Sequence, residues 1–188
     1  MYVSTEALER PLPKPSTEDY VDARLLEALV EGNLALEFLD RGLVRNAAGK
    51  AFQSWRALMA ALLRLESDKL LRVVRSEDER RWLVDKAIPR VPTSRMKTLS
   101  QLLELIGYTD ASLWTDKALN LHDYQYNGPD PDMALSKYRR KEEAAYDVVK
   151  LLSGLIRYVE AIKPRIKWGD ELENALKELR KRLSPTES

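Results

Sequence analysis

Apolar positions recur along most of this chain at steps of three and four, the period of a helix that turns one face to a core. The first such stripe runs through Val21, Leu25, Ala28, Leu29, Gly32, Leu36 and Leu39. It follows the capping hydroxyls and first-turn acids of Ser16-Thr17-Glu18-Asp19, and predicts a helix over roughly 18–41. Gly32 stands on the stripe where Ala would cost less, which predicts close approach of another helix, and Gly42 suits the residue just past the helix end. A second stripe passes through Ala48, Ala51, Phe52, Trp55, Leu58, Met59, Leu62 and Leu65. The short Gly42–Arg45 connection makes the two an antiparallel hairpin.

Beyond the hairpin the pattern is more broken. Ser76-Glu77-Asp78-Glu79 caps a short helix through Trp82, Leu83 and Ala87, and Pro89 and Pro92 end it, so that Pro89–Arg95 reads as a loop. Thr93 or Ser94 caps a helix bearing Met96, Leu99, Leu102, Leu103 and Ile106, which Gly107 ends. Asp110 caps the next, through Leu113, Trp114, Ala118 and Leu119 to His122. The turn Asn127-Gly128-Pro129-Asp130-Pro131-Asp132 then leads from Asp132 into a long stripe from Leu135 and Tyr138 to Val159 and Ile162. Pro164 and Gly169 separate it from a last helix, about 168–184, bearing Leu172, Ala175, Leu176, Leu179 and Leu183. No strand pattern and no repeat competes, so the reading is all-α: an irregular antiparallel bundle of about six or seven helices.

Pro11, Pro13 and Pro15 set residues 1–15 apart as a non-helical arm, leaving 16–188 as a single domain. A chain of 188 residues is long enough for one core without disulfides. The 44% hydrophobic and 32% charged residues with only 7 Gly reinforce the helical reading. Plentiful Glu, Lys and Arg beside few Asn and Gln match a thermophile's composition. The 31 Lys and Arg nearly cancel the 30 Asp and Glu, so nucleic acid would have to be held by a local patch, since the whole molecule has little net field. Zero Cys excludes disulfides, thiolate metal sites and a cysteine nucleophile. No apolar run approaches the ~20 residues of a membrane span, and the N-terminus lacks the basic and apolar regions of a signal peptide; the expectation is a cytoplasmic protein.

Of the enzyme motifs, the phosphate-binding loop, the dinucleotide glycine fingerprint, the nucleophile elbow and His-Glu-x-x-His are all missing, and the sequence points to no metal or cofactor. His122, the only histidine, is the one side chain suited to proton transfer near neutral pH, just before the aromatic and polar run Asp123-Tyr124-Gln125-Tyr126-Asn127. It reads first as a packed helix-end histidine, with Tyr124 and Tyr126 wedged between helices. Lys137-Tyr138-Arg139-Arg140-Lys141 is a basic run with an aromatic inside it, which could hold phosphates, as could Arg90 and Arg95. Against that, Glu142 and Glu143 follow at once and would make one turn of solvated, mixed-sign helix. Trp55, Trp82, Trp114 and Trp168 fall one per helix, a spacing that suits core and helix-end packing.

The hairpin segment from Ala35-Leu36-Glu37-Phe38-Leu39 through Gly42-Leu43-Val44-Arg45-Asn46 to Phe52-Gln53-Ser54-Trp55-Arg56-Ala57-Leu58 resembles archaeal proteins of the PaREP family. Together with Leu119-Asn120-Leu121-His122-Asp123-Tyr124-Gln125-Tyr126 it also resembles the HEPN helical-bundle superfamily, over roughly residues 18–163. That resemblance implies a HEPN-like bundle that pairs as a homodimer, binds or cleaves RNA or a nucleotide, and works beside a nucleotidyltransferase-type partner protein. The nuclease members carry an Arg a few positions before the His. Here Lys117 stands five before His122, and Asn120 sits closer to the His than the family Asn does. Lys holds a phosphate as a point charge but lacks the guanidinium fork.

Two readings follow. In the first, His122 and Lys117 are the catalytic pair, with Asn120, Tyr124, Tyr126, Arg139 and Arg140 binding the nucleic acid. His122 would then assist attack by a 2′-hydroxyl, and Lys117 would stabilise phosphate charge. In the second, the chain is a non-catalytic protein–protein interaction module in which His122 merely packs.

Overall fold

The computed structural model describes residues 4–184, and all of the regular structure there is helical. Eight helices follow one another among the described residues: α1 (Asp19–Asp40), α2 (Val44–Leu65), α3 (Ser67–Val73), α4 (Glu77–Trp82, extended by a π turn at Leu83–Ala87 and a last turn at Ile88–Arg90), α5 (Met96–Leu105), α6 (Ala111–Asn127), α7 (Lys141–Ile162) and α8 (Asp170–Leu183). The pattern predicts six or seven. The extra one is α3, which Glu66 divides from α2 and which has a single buried side chain, Leu70, too little apolar face for the period to show.

The α1–α2 hairpin forms the centre. On α2, the small residues Ala47, Ala48, Gly49, Ala51, Ser54, Ala57, Ala60 and Ala61 are all buried, so its backbone is approached from several sides. α6 and α7 pack against α2, and α8 packs against α1. Gly32 has the predicted role. A Cβ there would lie 3.2 Å from a Leu152 methyl, 3.3 Å from Ser54 Oγ and 3.4 Å from a Leu179 methyl, so α1 meets α2, α7 and α8 at one point. Asn33 ties the same region by donating to the carbonyls of Leu29 and Ala175. Gly42 adopts φ +72° at the turn of the hairpin, as its place past α1 requires.

Four local expectations are corrected. Pro89 does not end its helix. The preceding backbone widens into a π turn, with Ile88 N–H donating to Leu83 O, which makes room for the proline ring. The helix then closes at Val91, whose N–H donates to Ala87 O and whose φ is +40°. Thr93 and Ser94 lie in a 3-10 turn, Thr93–Arg95, that leads into α5 without a side-chain cap. Asp110 stands at the start of α6 with φ +68° and makes no capping bond; Glu104 takes that role, accepting from the N–H and the hydroxyl of Ser112. Finally, the long helix begins at Lys141 and not at Asp132. In the segment before it, the Asp130 carboxylate collects the N–H groups of Asp132, Leu135 and Ser136, and Met133 takes φ +55°. Those bonds compete with helix formation and win.

The arm is not wholly extended either: it forms a 3-10 turn at Thr5–Glu9 before running over Pro11 and Pro13. Its first three residues lie outside the described residues, as do the last four of the chain. Arg10 fastens the arm to α8 through two bonds to Glu171, and Arg64 holds its end at the carbonyls of Pro15 and Ser16. No helix among the described residues is long and apolar enough to cross a membrane.

Candidate functional site

The candidate residues divide between two faces of α6 and the loop that follows it. Residues five apart on a helix point about 140° away from each other, so Lys117 and His122 cannot share a face. His122 turns toward α2, where its ring lies 4.1 Å from that of Phe52, tilted by 30°, with Tyr126 edge-on at 5.2 Å. Its Nδ1 is buried without a hydrogen-bond partner. Burial depresses the imidazole pKa, Asp123 opposes the shift and Arg56 adds to it, so the ring is held toward its neutral form. The Tyr126 ring itself is 64% exposed, while its carbonyl and that of Gln125 accept from the Arg45 guanidinium.

Lys117 turns toward α7, where its ammonium sits 2.6 Å from Asp147 Oδ1. The other oxygen of that carboxylate accepts from Tyr138 Oη at 2.8 Å. Tyr124, 1% exposed, stands edge-on to Tyr138 at 5.6 Å, below the same network. Burial and then the Asp147 carboxylate drive the Tyr138 phenol far above its ordinary pKa, so it remains a donor. Asn120 is half-buried on α6, and its side chain makes no hydrogen bond to the described residues.

This network anchors the loop that carries the basic run. Tyr138 is buried beneath it, its N–H donates to Ser136 Oγ, and its carbonyl accepts from Asp130 N–H. Glu143 in the first turn of α7 accepts from the N–H groups of Arg139 and Arg140. With the backbone fixed from both ends, Lys137, Arg139 and Arg140 line an open groove of about 680 Å³ together with Met133, Tyr146 and the carboxylates of Glu142, Glu143 and Asp147. Tyr146 is 63% exposed and Lys150 lies 5.4 Å from its ring centre. Lys137 to Arg140 therefore form a pinned loop, and only Lys141 joins Glu142 and Glu143 in a mixed-sign turn of helix.

Lys117 and Tyr124 thus belong to the support of the groove that Arg139 and Arg140 line, whereas His122 and Tyr126 belong to the opposite side of α6. Sequence reasoning missed Asp147, Tyr146 and Asp130. Asp130 sits inside a turn signal, where a side chain that accepts from backbone groups is a common device; Asp147 and Tyr146 carry no local signal at all. Among the described residues, no group of three or more carboxylates or histidines is placed to hold a metal ion.

The archaeal PaREP1/PaREP8 family model matches residues 23–149. This chain belongs to that family. The match takes in α1 to α6, the basic loop and the start of α7, and so covers both faces of α6 in this PaREP1/PaREP8 protein. The arm, the first turn of α1, residues 150–162 of α7 and all of α8 lie outside it. No curated protein and no solved structure matches the chain.

Proposed function

We propose that this PaREP1/PaREP8 protein is a cytoplasmic, HEPN-like helical bundle that binds single-stranded RNA or a nucleotide as a homodimer. The observation that carries the reading is the pinned groove, where Lys137, Arg139 and Arg140 stand around an exposed Tyr146, with Asp147 already paired to Lys117 and Glu143 bonded to the loop's backbone. Three cations on a fixed backbone suit successive phosphates, and an open phenol face suits a stacked base. Binding is favoured over cleavage by the placement of the other candidates. Lys117 is neutralised by Asp147 and lies on a different face from His122, so the two do not converge on one phosphate within a protomer. A nucleotidyltransferase-type protein is the partner expected for a HEPN-like dimer.

The test is fluorescence anisotropy with a labelled single-stranded RNA at low salt, together with light scattering. Wild type is expected to bind as a dimer. Replacing Lys137, Arg139 and Arg140 together by Gln should weaken binding at least tenfold and leave the melting temperature unchanged. Binding that survives this change would remove the groove from the reading, and a monomer at high micromolar concentration would remove the dimer. A second reading, a protein–protein interaction module, is favoured by the packing of His122 on Phe52. It gains if wild type binds no RNA and His122→Ala lowers stability by the ~1–3 kcal/mol of a lost packed side chain.

A further inference from the structure

A second concavity lies on another part of the molecule, where the α5–α6 connection meets the last turns of α7. It is an open depression of about 230 Å³ lined by Tyr108, Asp110, Trp114, Arg157 and Tyr158, with both charged side chains exposed at its rim. That volume suits a small ligand that stays partly in water.

Neither of its two charged groups has an ion-pair partner among the described residues. Asp110 occupies the position where an acidic side chain ordinarily caps a helix, yet Glu104 does the capping, accepting from the N–H and hydroxyl of Ser112. Asp110 also holds φ +68°, a conformation that costs a non-glycine residue free energy. Its carboxylate forms no ion pair or hydrogen bond with the described residues. It does lie near enough to Tyr158 to act on it: burial first, then Asp110 and Glu104, push that phenol up to about 12, against Arg157. Arg157 likewise has no carboxylate partner among the described residues; its guanidinium lies 5.3 Å from the centre of the Trp114 ring. Nearby, Glu160 is spent on Arg180.

The aromatic walls are fixed from behind. Tyr108 Oη donates to Glu66, Tyr158 Oη donates to Thr109 O, and the two rings lie nearly parallel with centres 6.1 Å apart. Trp114 packs on α7 at Gly154, where a Cβ would come within 3.0 Å of the indole.

Opposite charges that leave each other unpaired, set among three aromatic rings, fit neither a bare cation nor a bare anion. A cation alone would meet Arg157, and an anion alone would meet Asp110 and the negative ring faces. We infer that this depression binds a small zwitterion with a fully alkylated ammonium, a betaine, whose quaternary nitrogen sits against Tyr108, Tyr158 and Asp110 and whose carboxylate meets Arg157, which Trp114 holds in place. Aromatic faces complement a diffuse, weakly hydrated cation better than a compact ammonium, which sets the preference for alkylation.

Calorimetric titration of the full chain with glycine betaine, tetramethylammonium, acetate and glycine tests this. Betaine should bind at one site, at least tenfold more tightly than any of the other three. Asp110→Asn, at an exposed position where Asn tolerates the same backbone, should weaken betaine at least tenfold without changing the melting temperature. Arg157→Gln should bring betaine down to the level of tetramethylammonium. Trp114→Leu, which frees Arg157, should weaken betaine in the same way; if that variant fails to fold, the Asp110 and Arg157 variants still decide. No betaine binding, glycine binding as tightly as betaine, or affinity indifferent to both Asp110→Asn and Arg157→Gln would each overturn the assignment.

Discussion

At the scale of single residues, the telling groups are those whose protonation the fold has fixed. His122 is depressed by its burial against Phe52, so the unfolded chain takes up a proton at a higher pH than the folded one. Stability therefore falls as pH drops below the ordinary histidine value of about 6.5. His122→Phe keeps the stacked ring and removes the orphaned Nδ1; we expect it to be neutral or stabilising by about 1 kcal/mol at neutral pH. Its advantage over wild type should grow in thermal melts between pH 7.5 and 5, and a constant difference would contradict the packing argument. Glu66 shows the opposite sign. It is 2% exposed, and burial alone would raise its pKa, but Arg165, Tyr108 and Lys69 outweigh that and hold the carboxyl at about 2. The stability it contributes is present above the unfolded value near 4.5 and is lost as pH falls toward 2. The shift corresponds to no more than about 3 kcal/mol, less for the share of Arg165 and Lys69 that water still screens. Glu66→Gln should thus melt below wild type at pH 7 and converge with it as pH approaches 2; a gap that persists would assign the loss to packing instead. The sequence marks His122 by its uniqueness. It does not mark Glu66, one of many acids in a charged chain, because two of its three partners, Tyr108 and Arg165, are distant in sequence.

Among the elements, what could be read from the chain depended on whether the cause was local. The helical periods of α1, α2 and α8, that of α7 from Lys141 on, the glycine turn at Gly42 and the close approach at Gly32 all follow from residues within a turn or two of each other, and each is where the sequence predicts it. The misread elements share a different physics. At Pro89 the backbone absorbs a proline through a π turn, at Asp130 one carboxylate outcompetes a helix, and at the start of α6 a cap arrives from α5. The groove behind Arg139 and Arg140 was half-legible for the same reason: the basic run is local, whereas its support from Asp147 and Tyr124 crosses between helices. Gly154 offers a test of such packing on α7. In a helix interior Gly→Ala ordinarily gains up to about 1 kcal/mol, but here the added methyl would press within 3.0 Å of the rigid Trp114 ring. We expect Gly154→Ala to lose about 1–3 kcal/mol in denaturant unfolding, the typical cost of overpacking. A stabilised variant would mean that the indole can move away freely.

For the whole molecule, the decisive quantity is charge. With a net charge of +1, the protein exerts almost no long-range pull on a polyanion, so any RNA affinity has to arise where Lys137, Arg139 and Arg140 are gathered against Glu142, Glu143 and Asp147. That makes the salt dependence a count of contacts. Each phosphate neutralised on a single strand contributes about −0.7 to the slope of log affinity against log salt, so three cations give about −2 for each protomer's groove. A general basic surface would give a steeper slope spread over many residues. Replacing one of the three by Gln should therefore reduce the slope by about 0.7, while replacing Arg90 or Arg95, in the proline segment outside the groove, should leave it unchanged. Measuring anisotropy at four or five salt concentrations for wild type and these variants separates the two cases. A slope that ignores Arg139 and Arg140 but falls with Arg90 or Arg95 would move the interface to the α4–α5 connection, whereas the predicted pattern would place it on the loop that Asp130, Tyr138 and Glu143 hold rigid.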